Sequence, residues 1–253
     1  MRALIVLAHP EPSSFNAQLA KLATTQLQEM GYEIEHSNLY AMRFDPSEGP
    51  HHYAPDLFDG PFDAQAHQRR ASDLNRLPEI IQHELDKLEK CDLLILQYPM
   101  WWFAAPAILK GWIDRVFVYG RTYTGKKRYD RGLFKGKRAM LSVTFGGPEP
   151  TFAHNGRNGD IDLLLWPMNM NFHYLGYSVL PPFTAFGVEG GLKYSAPEVL
   201  VARLQAYKEL YRQHLTSLPN MNPVPFNGWD DWDENGRLKP GITGYSLFMR
   251  GSK

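Results

Sequence analysis

Apolar and polar residues alternate along the chain in blocks that are typical of a parallel α/β protein. Residues 3–7 form a continuous apolar run, and residues 92–98 and 139–144 contain similar runs. Short unbroken runs of this kind predict strands that are buried on both faces of a sheet. Shorter strands are expected around Ile34 and at residues 179–180. The pattern therefore predicts five strands.

Between and after these strands, apolar residues recur at helical spacing. The predicted helices span residues 15–30, 75–88, 106–116, 160–170 and 197–215. Pro106 and Pro197 each stand where a proline commonly opens a helix. Asn75 is expected to cap the second helix, and Pro167 is expected to interrupt the fourth.

This alternation over residues 1–217 predicts the α/β class, with a doubly wound parallel sheet and helices on both faces. Five strands favour the flavodoxin-like order over the six-stranded dinucleotide-binding order. No G-x-G-x-x-G follows the first strand, and no P-loop lysine is present. Residues 41–72 show no sustained period and are interpreted as a surface arm. Residues 218–253 are expected to form an irregular extension that packs on the domain or on a dimer partner.

Charge and cysteine content exclude several classes of protein. The chain has 27 basic and 27 acidic residues, which argues against binding to nucleic acid or to a membrane surface. Its one cysteine, Cys91, excludes a disulfide framework and favours a reducing compartment. A mean hydropathy of −0.39 and short apolar runs predict no membrane insertion, and the absence of a leader favours the cytoplasm.

The chain has nine histidines, a residue type that often binds metal ions. His51 and His52, with His36 and His67, follow no known ligand spacing, so no metal site is expected.

Three unusual loops follow predicted strands, at residues 9–16, 99–103 and 144–147. Ligands of doubly wound sheets bind at the carboxyl ends of the strands. The first loop offers hydroxyls, an amide and a helix N-terminus, which suit a phosphate. The second carries three consecutive aromatic residues, which suit a planar heterocycle, and the third carries two glycines that let backbone N–H groups approach a ligand. Together they predict a site for a flat, phosphate-bearing cofactor.

Each loop also has a purely structural interpretation. Ser13 and Ser14 could simply cap a helix, and Trp101–Trp102–Phe103 could be core residues. Gly146–Gly147 alone is an ordinary turn signal. The functional interpretation depends on the three loops occurring together at strand ends.

Four segments carry a resemblance to a known family, namely residues 3–16, 97–118, 141–147 and 160–167. They resemble the NAD(P)H:quinone oxidoreductases of the DT-diaphorase type. The resemblance implies a flavodoxin-like fold, bound FAD rather than FMN, and NADH or NADPH as co-substrate. It also implies a homodimer with the active site at the subunit boundary, and ping-pong, two-electron reduction of quinones or other electron-poor aromatics.

The resemblance also implies roles for individual residues. The FAD diphosphate and ribityl chain are expected at His9, Ser14, Phe15 and Asn16. The isoalloxazine ring is expected against Pro99, Met100, Trp101, Trp102 and Phe103, with its pyrimidine side at Thr144, Phe145, Gly146 and Gly147. Tyr123 is expected to line the substrate pocket of the partner subunit.

Departures from the family pattern affect proton handling. The tyrosine and histidine of the family's catalytic relay fall at Phe152 and Asn158, and a second pocket tyrosine falls at Gly125. The relay stabilises negative charge on the reduced flavin in the family, and such charge needs a preorganised donor or cation. His154 and Arg157 lie in the same segment, and we expect one of them to supply the replacement charge.

Two alternatives to an FAD-dependent quinone reductase stay open at this stage. The first is an FMN-dependent azo- or nitroreductase on the same fold. The second is a flavin-binding regulatory subunit that docks on a transporter or other partner and retains weak turnover, which the missing relay residues favour. The sequence does not distinguish NADH from NADPH as the donor.

Overall fold

A computed structural model describes residues 1–57, 59–190 and 194–245. Its single parallel sheet has the order β2-β1-β3-β4-β5, with β6 also paired to β4. This is the flavodoxin-like order, so the predicted fold class is confirmed. The strands are β1 (Arg2–Leu7), β2 (Glu33–Asn38), β3 (Leu93–Pro99), β4 (Arg138–Thr144), β5 (Ser178–Val179) and β6 (Phe183–Ala185).

The outer strand next to β4 is divided into two short pieces. β5 pairs with the start of β4 and β6 pairs with its end. Pro181 and Pro182 stand between them, and a proline has no N–H with which to continue a ladder. The sequence predicted only the first piece.

The described residues form six α-helices, five of which pack on the sheet. They are α1 (Phe15–Glu29), α2 (Ala64–Asp73), α3 (Glu79–Lys90), α4 (Ala107–Val116), α5 (Ile161–Leu175) and α6 (Pro197–Ser217). One core cluster joins the sheet to α3, α4 and α5, and a second joins it to α1 and α6. The helices therefore lie on both faces, as the alternation predicted.

The segment at residues 41–72 is not a plain surface arm. It contains two 3-10 turns, Pro50–His52 and Pro55–Leu57, and then α2. Asp63 caps α2 by accepting a hydrogen bond from the Ala66 N–H at 2.9 Å. The apolar pattern missed this helix because the face that it buries is made of polar and small residues: His67, Gln68, Ala71 and Ser72.

Two predicted helix details are wrong. Asn75 does not cap α3, which begins at Glu79 after Pro78; Asn75 instead has a left-handed backbone (φ 54°) in the turn that follows α2. Pro167 does not interrupt α5, which continues to Leu175 and ends at Gly176, a glycine with φ 103°. Pro167 is the seventh residue of α5 and removes one backbone hydrogen bond, while the buried Leu165, Met168 and Phe172 keep the helix packed in the core.

The described part of the C-terminal extension, residues 218–245, is largely irregular and packs on its own domain. The Phe226 ring stacks on His173 of α5 at 4.4 Å, and the Val224 N–H donates to the Val179 carbonyl at 2.7 Å. The Trp229 N–H donates to Asp130 at 2.6 Å. Residues 246–253, which the sequence analysis includes in the extension, lie outside the described residues. Among the described residues, no helix is long and apolar enough to cross a membrane.

Candidate active site

A chain of buried hydrogen bonds joins the start of α1 to the carboxyl ends of β3 and β4. Gln97 of β3 donates from Nε2 to Asn16 Oδ1 at 2.9 Å, and Asn16 donates from Nδ2 to Thr144 Oγ1 at 2.8 Å. All three side chains are buried. The Met100 N–H also donates to the Thr144 carbonyl at 2.8 Å. The three predicted loops are therefore fixed relative to one another.

In the first loop, Ser14 has the capping role that its structural interpretation proposed. Its Oγ accepts a hydrogen bond from the Ala17 N–H at 3.2 Å. Because α1 begins at Phe15, the N–H groups of Phe15 and Asn16 have no intrahelical acceptor. The first turn of α1 carries no acidic residue. This helix end therefore favours an anionic group as well as being capped.

His9 stands beside this helix end. Its Nδ1 accepts a hydrogen bond from the Glu11 N–H at 3.0 Å, and its ring lies 6.0 Å from that of Trp101. Partial burial lowers the pKa of His9 below its usual value. Burial thus favours the neutral form of His9, which can still form hydrogen bonds.

The aromatic loop is an exposed tight turn. Trp101 and Ala104 exchange two backbone hydrogen bonds of 3.0 Å, and the residues between them, Trp102 and Phe103, have φ of 50° and 59°. Positive φ is strained for bulky residues and costs about 1–3 kcal/mol each, which is common at ligand sites. Trp101, Trp102 and Phe103 are 41%, 95% and 54% exposed. The core interpretation of this loop is therefore wrong, and a flat apolar surface faces solvent.

The glycine loop has one open and one crowded position. A side chain at Gly146 would meet nothing closer than the Val188 carbonyl at 3.9 Å, whereas at Gly147 it would lie 3.2 Å from the Phe152 ring. The Phe145 N–H donates to Ala185 of β6 at 2.8 Å, which holds the loop on the sheet. Gly146 is thus the point at which a ligand edge can approach the backbone.

A cavity of about 1160 Å³ runs from this glycine loop to α6. Arg157 and Arg203 line it together with Glu149 and Glu189, and Tyr194 and Tyr207 contribute aromatic rings. The sequence analysis missed Arg203 as a site residue. The sequence does contain one indication of its position. Arg203 stands one helical turn before Tyr207, an apolar position of the predicted helix, so the two side chains share a helix face.

Arg203 is held in place by the loop that follows β6. It donates to the Gly187 carbonyl and to Ser195 Oγ, each at 3.0 Å, and lies 3.3 Å from the Glu189 carboxylate. The hydroxyl of Ser195 and the N–H groups of Tyr194 and Ser195 donate to Glu189 and lower its pKa to about 2. Glu189 is therefore ionised and orders both the loop and the arginine.

Phe152 and Asn158 adjoin the glycine loop, but neither can exchange a proton. The Phe152 ring packs 4.8 Å from that of Phe145. Asn158 donates to Thr151 Oγ1 at 3.0 Å. The relay positions therefore serve packing and loop structure.

The two candidates for a replacement charge differ in their surroundings. Arg157 lines the same cavity as Gly146 and Gly147. The His154 side chain is 79% exposed, and its Nδ1 lies 3.1 Å from the Asp160 carboxylate at the start of α5. The geometry favours Arg157 over His154 as a source of charge in the cavity.

Tyr123 lies elsewhere in the subunit. Its hydroxyl accepts a hydrogen bond from Gln65 at 3.1 Å, and it lines a cavity of about 400 Å³ with Glu48 and Tyr174. Burial raises the pKa of Tyr123. This cavity shares no lining residue with the cavity at the glycine loop. Tyr123 therefore lines a different cavity from Gly146, Gly147 and Arg157.

Gln97 is a further functional residue that the sequence analysis missed. It is the one polar side chain in the buried strand segment LLILQYP, and it starts the hydrogen-bond chain to Asn16 and Thr144. A polar residue inside a strand that is buried on both faces needs a buried partner, and that requirement is visible in the sequence.

Comparisons with known proteins agree with this geometry. A family model described as flavodoxin-like fold matches residues 1–210. NAD(P)H dehydrogenase [quinone] 1 of Cavia porcellus is 40% identical over 82% of this chain and 75% of its own length. Ribosyldihydronicotinamide dehydrogenase [quinone] of Mus musculus is 35% identical over 84% of this chain and 93% of its own.

A solved structure is similar over almost the whole length of both chains. The structure of a putative quinone reductase from Klebsiella pneumoniae has a TM-score of 0.84 and 32% identity, and the match covers 96% of this chain and 97% of that one. The chain is a flavodoxin-like protein. It belongs to the NAD(P)H:quinone oxidoreductase family within that fold, as the sequence motifs predicted.

Proposed function

We propose that the protein is an FAD-dependent enzyme that transfers two electrons from NADH or NADPH to quinones. The observation that carries this proposal is the junction at Thr144. The Thr144 side chain accepts a hydrogen bond from Asn16, at the N-terminal end of α1 that suits a phosphate. The Thr144 carbonyl accepts a hydrogen bond from the Met100 N–H, next to the exposed aromatic turn. One residue thus connects the three surfaces that a flavin needs.

The residues of the site fit a flavin on their own chemistry. The start of α1 suits the diphosphate, because its first N–H groups are free and no acidic side chain in the first turn competes for them. The Trp101–Phe103 turn offers exposed flat surface for the ring, and Gly146 leaves the backbone open at the ring edge. When bound, a flavin supplies the hydride-accepting atom for a nicotinamide and the hydride-donating atom for a quinone.

The work of the chain is to bind, orient and balance charge. The Asn16–Gln97–Thr144 hydrogen bonds keep the loops at fixed spacing, so the site is preorganised. We propose that Arg157, together with the backbone N–H groups of Gly146 and Gly147, balances the negative charge that develops during reduction. Phe152 and Asn158 take no part in proton transfer, because neither carries a titratable group.

The cavity that extends to α6 supports FAD over FMN. A flavin mononucleotide requires only the three loops, whereas the cavity of about 1160 Å³ continues to Tyr194, Arg203 and Tyr207. These residues offer rings and a cation of the kind that an adenylate half would contact. We therefore expect the adenine-containing half of FAD to lie in this cavity.

We further propose that the active enzyme is a homodimer with quinone sites shared between subunits. The Tyr123 cavity and the glycine-loop cavity share no lining residue, which supports this proposal, since a second copy of the chain would provide a way to bring the two together. Flat apolar acceptors with loose selectivity are expected, because stacking discriminates shape weakly. The one cysteine, Cys91, is buried and unpaired, which accords with a cytoplasmic location.

Two measurements on purified protein test the proposal. The flavin is released and identified by chromatography, and NADH and NADPH oxidation is measured with a panel of quinones. We expect FAD and turnover with menadione or benzoquinone. Released FMN would overturn the cofactor assignment. Turnover near background with bound flavin would favour the regulatory subunit, the alternative that Phe152 and Asn158 support.

A further inference from the structure

A second cluster of ligand-type side chains lies away from the flavin loops. Within the described residues, Asp45, His51 and His52 are the one group of three whose ligand atoms all lie within 4.8 Å of one another. Asp45 Oδ2 is 3.5 Å from His51 Nε2 and 3.4 Å from His52 Nε2. The spacing of these histidines along the sequence gave no indication of the site, because the aspartate completes it only after folding.

The two distances from the Asp45 carboxylate match those between ligands of one metal ion. Two ligands at about 2.1 Å from one ion stand about 3.4 Å apart at a tetrahedral angle. Two imidazoles and one carboxylate suit Zn²⁺ and related borderline divalent ions, whereas Mg²⁺ and Ca²⁺ prefer oxygen ligands alone. With three protein ligands, water would complete the coordination.

The segment that carries the ligands is held before any ion binds. Arg115 donates to the Asp45 carbonyl at 2.6 Å, and the Ser47 N–H donates to Asp45 Oδ1 at 2.9 Å. A Cβ atom at Gly49 would lie 2.9 Å from His51 Nδ1. Because glycine has no Cβ, the His51 ring can occupy this space and face Asp45. The carboxylate and one ring are therefore oriented by their neighbours.

From this geometry we propose that Asp45, His51 and His52 form a surface site for Zn²⁺ or a similar divalent transition-metal ion. The His52 side chain is 15% exposed, while those of His51 and Asp45 are 59% and 47% exposed, so the site is open to solvent on one side. His52 Nε2 also donates to the Ser47 carbonyl at 2.8 Å, and coordination replaces that hydrogen bond with a metal bond.

A bound ion would crosslink the two ends of the segment 45–52 and so stabilise its conformation. This segment carries Glu48, whose carboxylate accepts hydrogen bonds from Tyr53 at 3.2 Å and Gln68 at 3.0 Å and which lines the cavity that contains Tyr123. The ion would thus stabilise one wall of that cavity without being part of the redox chemistry.

The test is a titration of the flavin-loaded, untagged full chain with ZnCl₂ by isothermal calorimetry, after treatment with EDTA and dialysis. We expect one equivalent of Zn²⁺ to bind in a saturable way. His51→Ala, His52→Ala and Asp45→Asn should each weaken binding at least tenfold. His83→Ala, which removes an exposed histidine of α3, should bind as the parent does.

Thermal unfolding separates loss of the site from loss of the fold. In EDTA, His51→Ala should unfold at the same temperature as the parent, since its side chain is largely exposed. Added Zn²⁺ should raise the Tm of the parent by a few degrees and leave that of His51→Ala unchanged. Absence of stoichiometric binding by the parent, or parent-like binding by His51→Ala, would overturn the proposal.

Discussion

At the scale of single residues, the site depends on polar side chains that bind one another rather than the ligand. Both ends of the Asn16 amide are used, one by Gln97 and one by Thr144. Asn16 therefore acts by positioning, and its own backbone N–H is the group left for a phosphate. The sequence motif placed Asn16 at the cofactor but did not reveal this role, because the partners lie 81 and 128 residues away along the chain.

Replacing Asn16 should therefore affect the fold and the cofactor together. Asn16→Ala leaves buried Gln97 and Thr144 groups without their partner, and we expect a loss of about 2–3 kcal/mol in the free energy of unfolding. Flavin affinity should fall as well. Urea unfolding with and without added FAD measures both effects, with the exposed Asn220→Ala as control. Unfolding of Asn16→Ala within 0.5 kcal/mol (about the scatter of surface substitutions) of the parent would contradict this account.

The positive charge of Arg157 in the cavity can be tested by substitution. Arg157→Ala should slow flavin reduction by NADH or NADPH by about tenfold, because a cation near the developing negative charge is lost. Arg157→Lys should recover part of the rate. His154→Ala should reduce at the parental rate, since this exposed side chain pairs with Asp160. Rapid-mixing absorbance gives these rates, and no change for either alanine variant would refute a replacement charge in this segment.

At the scale of elements, the strands that are buried on both faces were predicted correctly. β1, β3 and β4 lie within one residue of their predicted ends because strands buried on both faces must be apolar throughout. α2 was missed because it buries polar and small side chains. The loops of the site could be predicted because they follow those strands. The spacing of Arg203 and Tyr207 puts both on one face of α6, but the contact of that face with the loop after β6 is set by the tertiary fold.

The contact between that loop and α6 should depend on pH. Hydrogen bonds lower the pKa of Glu189 from 4.5 to about 2 in the folded chain. The stabilisation is therefore complete above the unfolded value near 4.5, and it is lost as the pH falls toward about 2.

Glu189→Gln tests this pH dependence. At neutral pH the variant should unfold more readily than the parent, and the difference should shrink as the pH falls below about 4.5. Urea unfolding at pH values on both sides of this window provides the comparison. Glu198→Gln, at an exposed position in the first turn of α6, is the control. A difference that stays constant over this range would show that ionised Glu189 does not hold the loop.

At the scale of the whole molecule, two cavities of the chain share no lining residue, which supports the proposed homodimer. The aromatic turn, Gly146 and Arg157 lie at the carboxyl end of the sheet, whereas Tyr123 lines a separate cavity with Gln65 and Tyr174. The sequence motif indicated that Tyr123 serves a partner subunit, but no pattern in a single sequence specifies how two copies dock. The docked arrangement is set by surface complementarity rather than by local periodicity.

A complementation experiment tests the shared site. Gly146→Val fills the open space at the glycine loop and should abolish flavin binding without disturbing the fold, since its nearest neighbour is 3.9 Å away. Tyr123→Ala should impair quinone reduction while leaving flavin reduction unchanged. Co-expression of the two variants should then recover activity, because a mixed dimer contains one intact site. Failure of the mixture to exceed either variant would mean that each site lies within one chain.

The central claim is that a flavin held by the three loops carries electrons from a nicotinamide to a quinone. Anaerobic rapid mixing follows its two half-reactions separately. We expect NADH or NADPH to bleach the flavin absorbance of the purified protein, and one equivalent of benzoquinone to restore it without a semiquinone signal. A protein that binds no flavin, or whose flavin absorbance is unchanged by both nucleotides, would contradict the account.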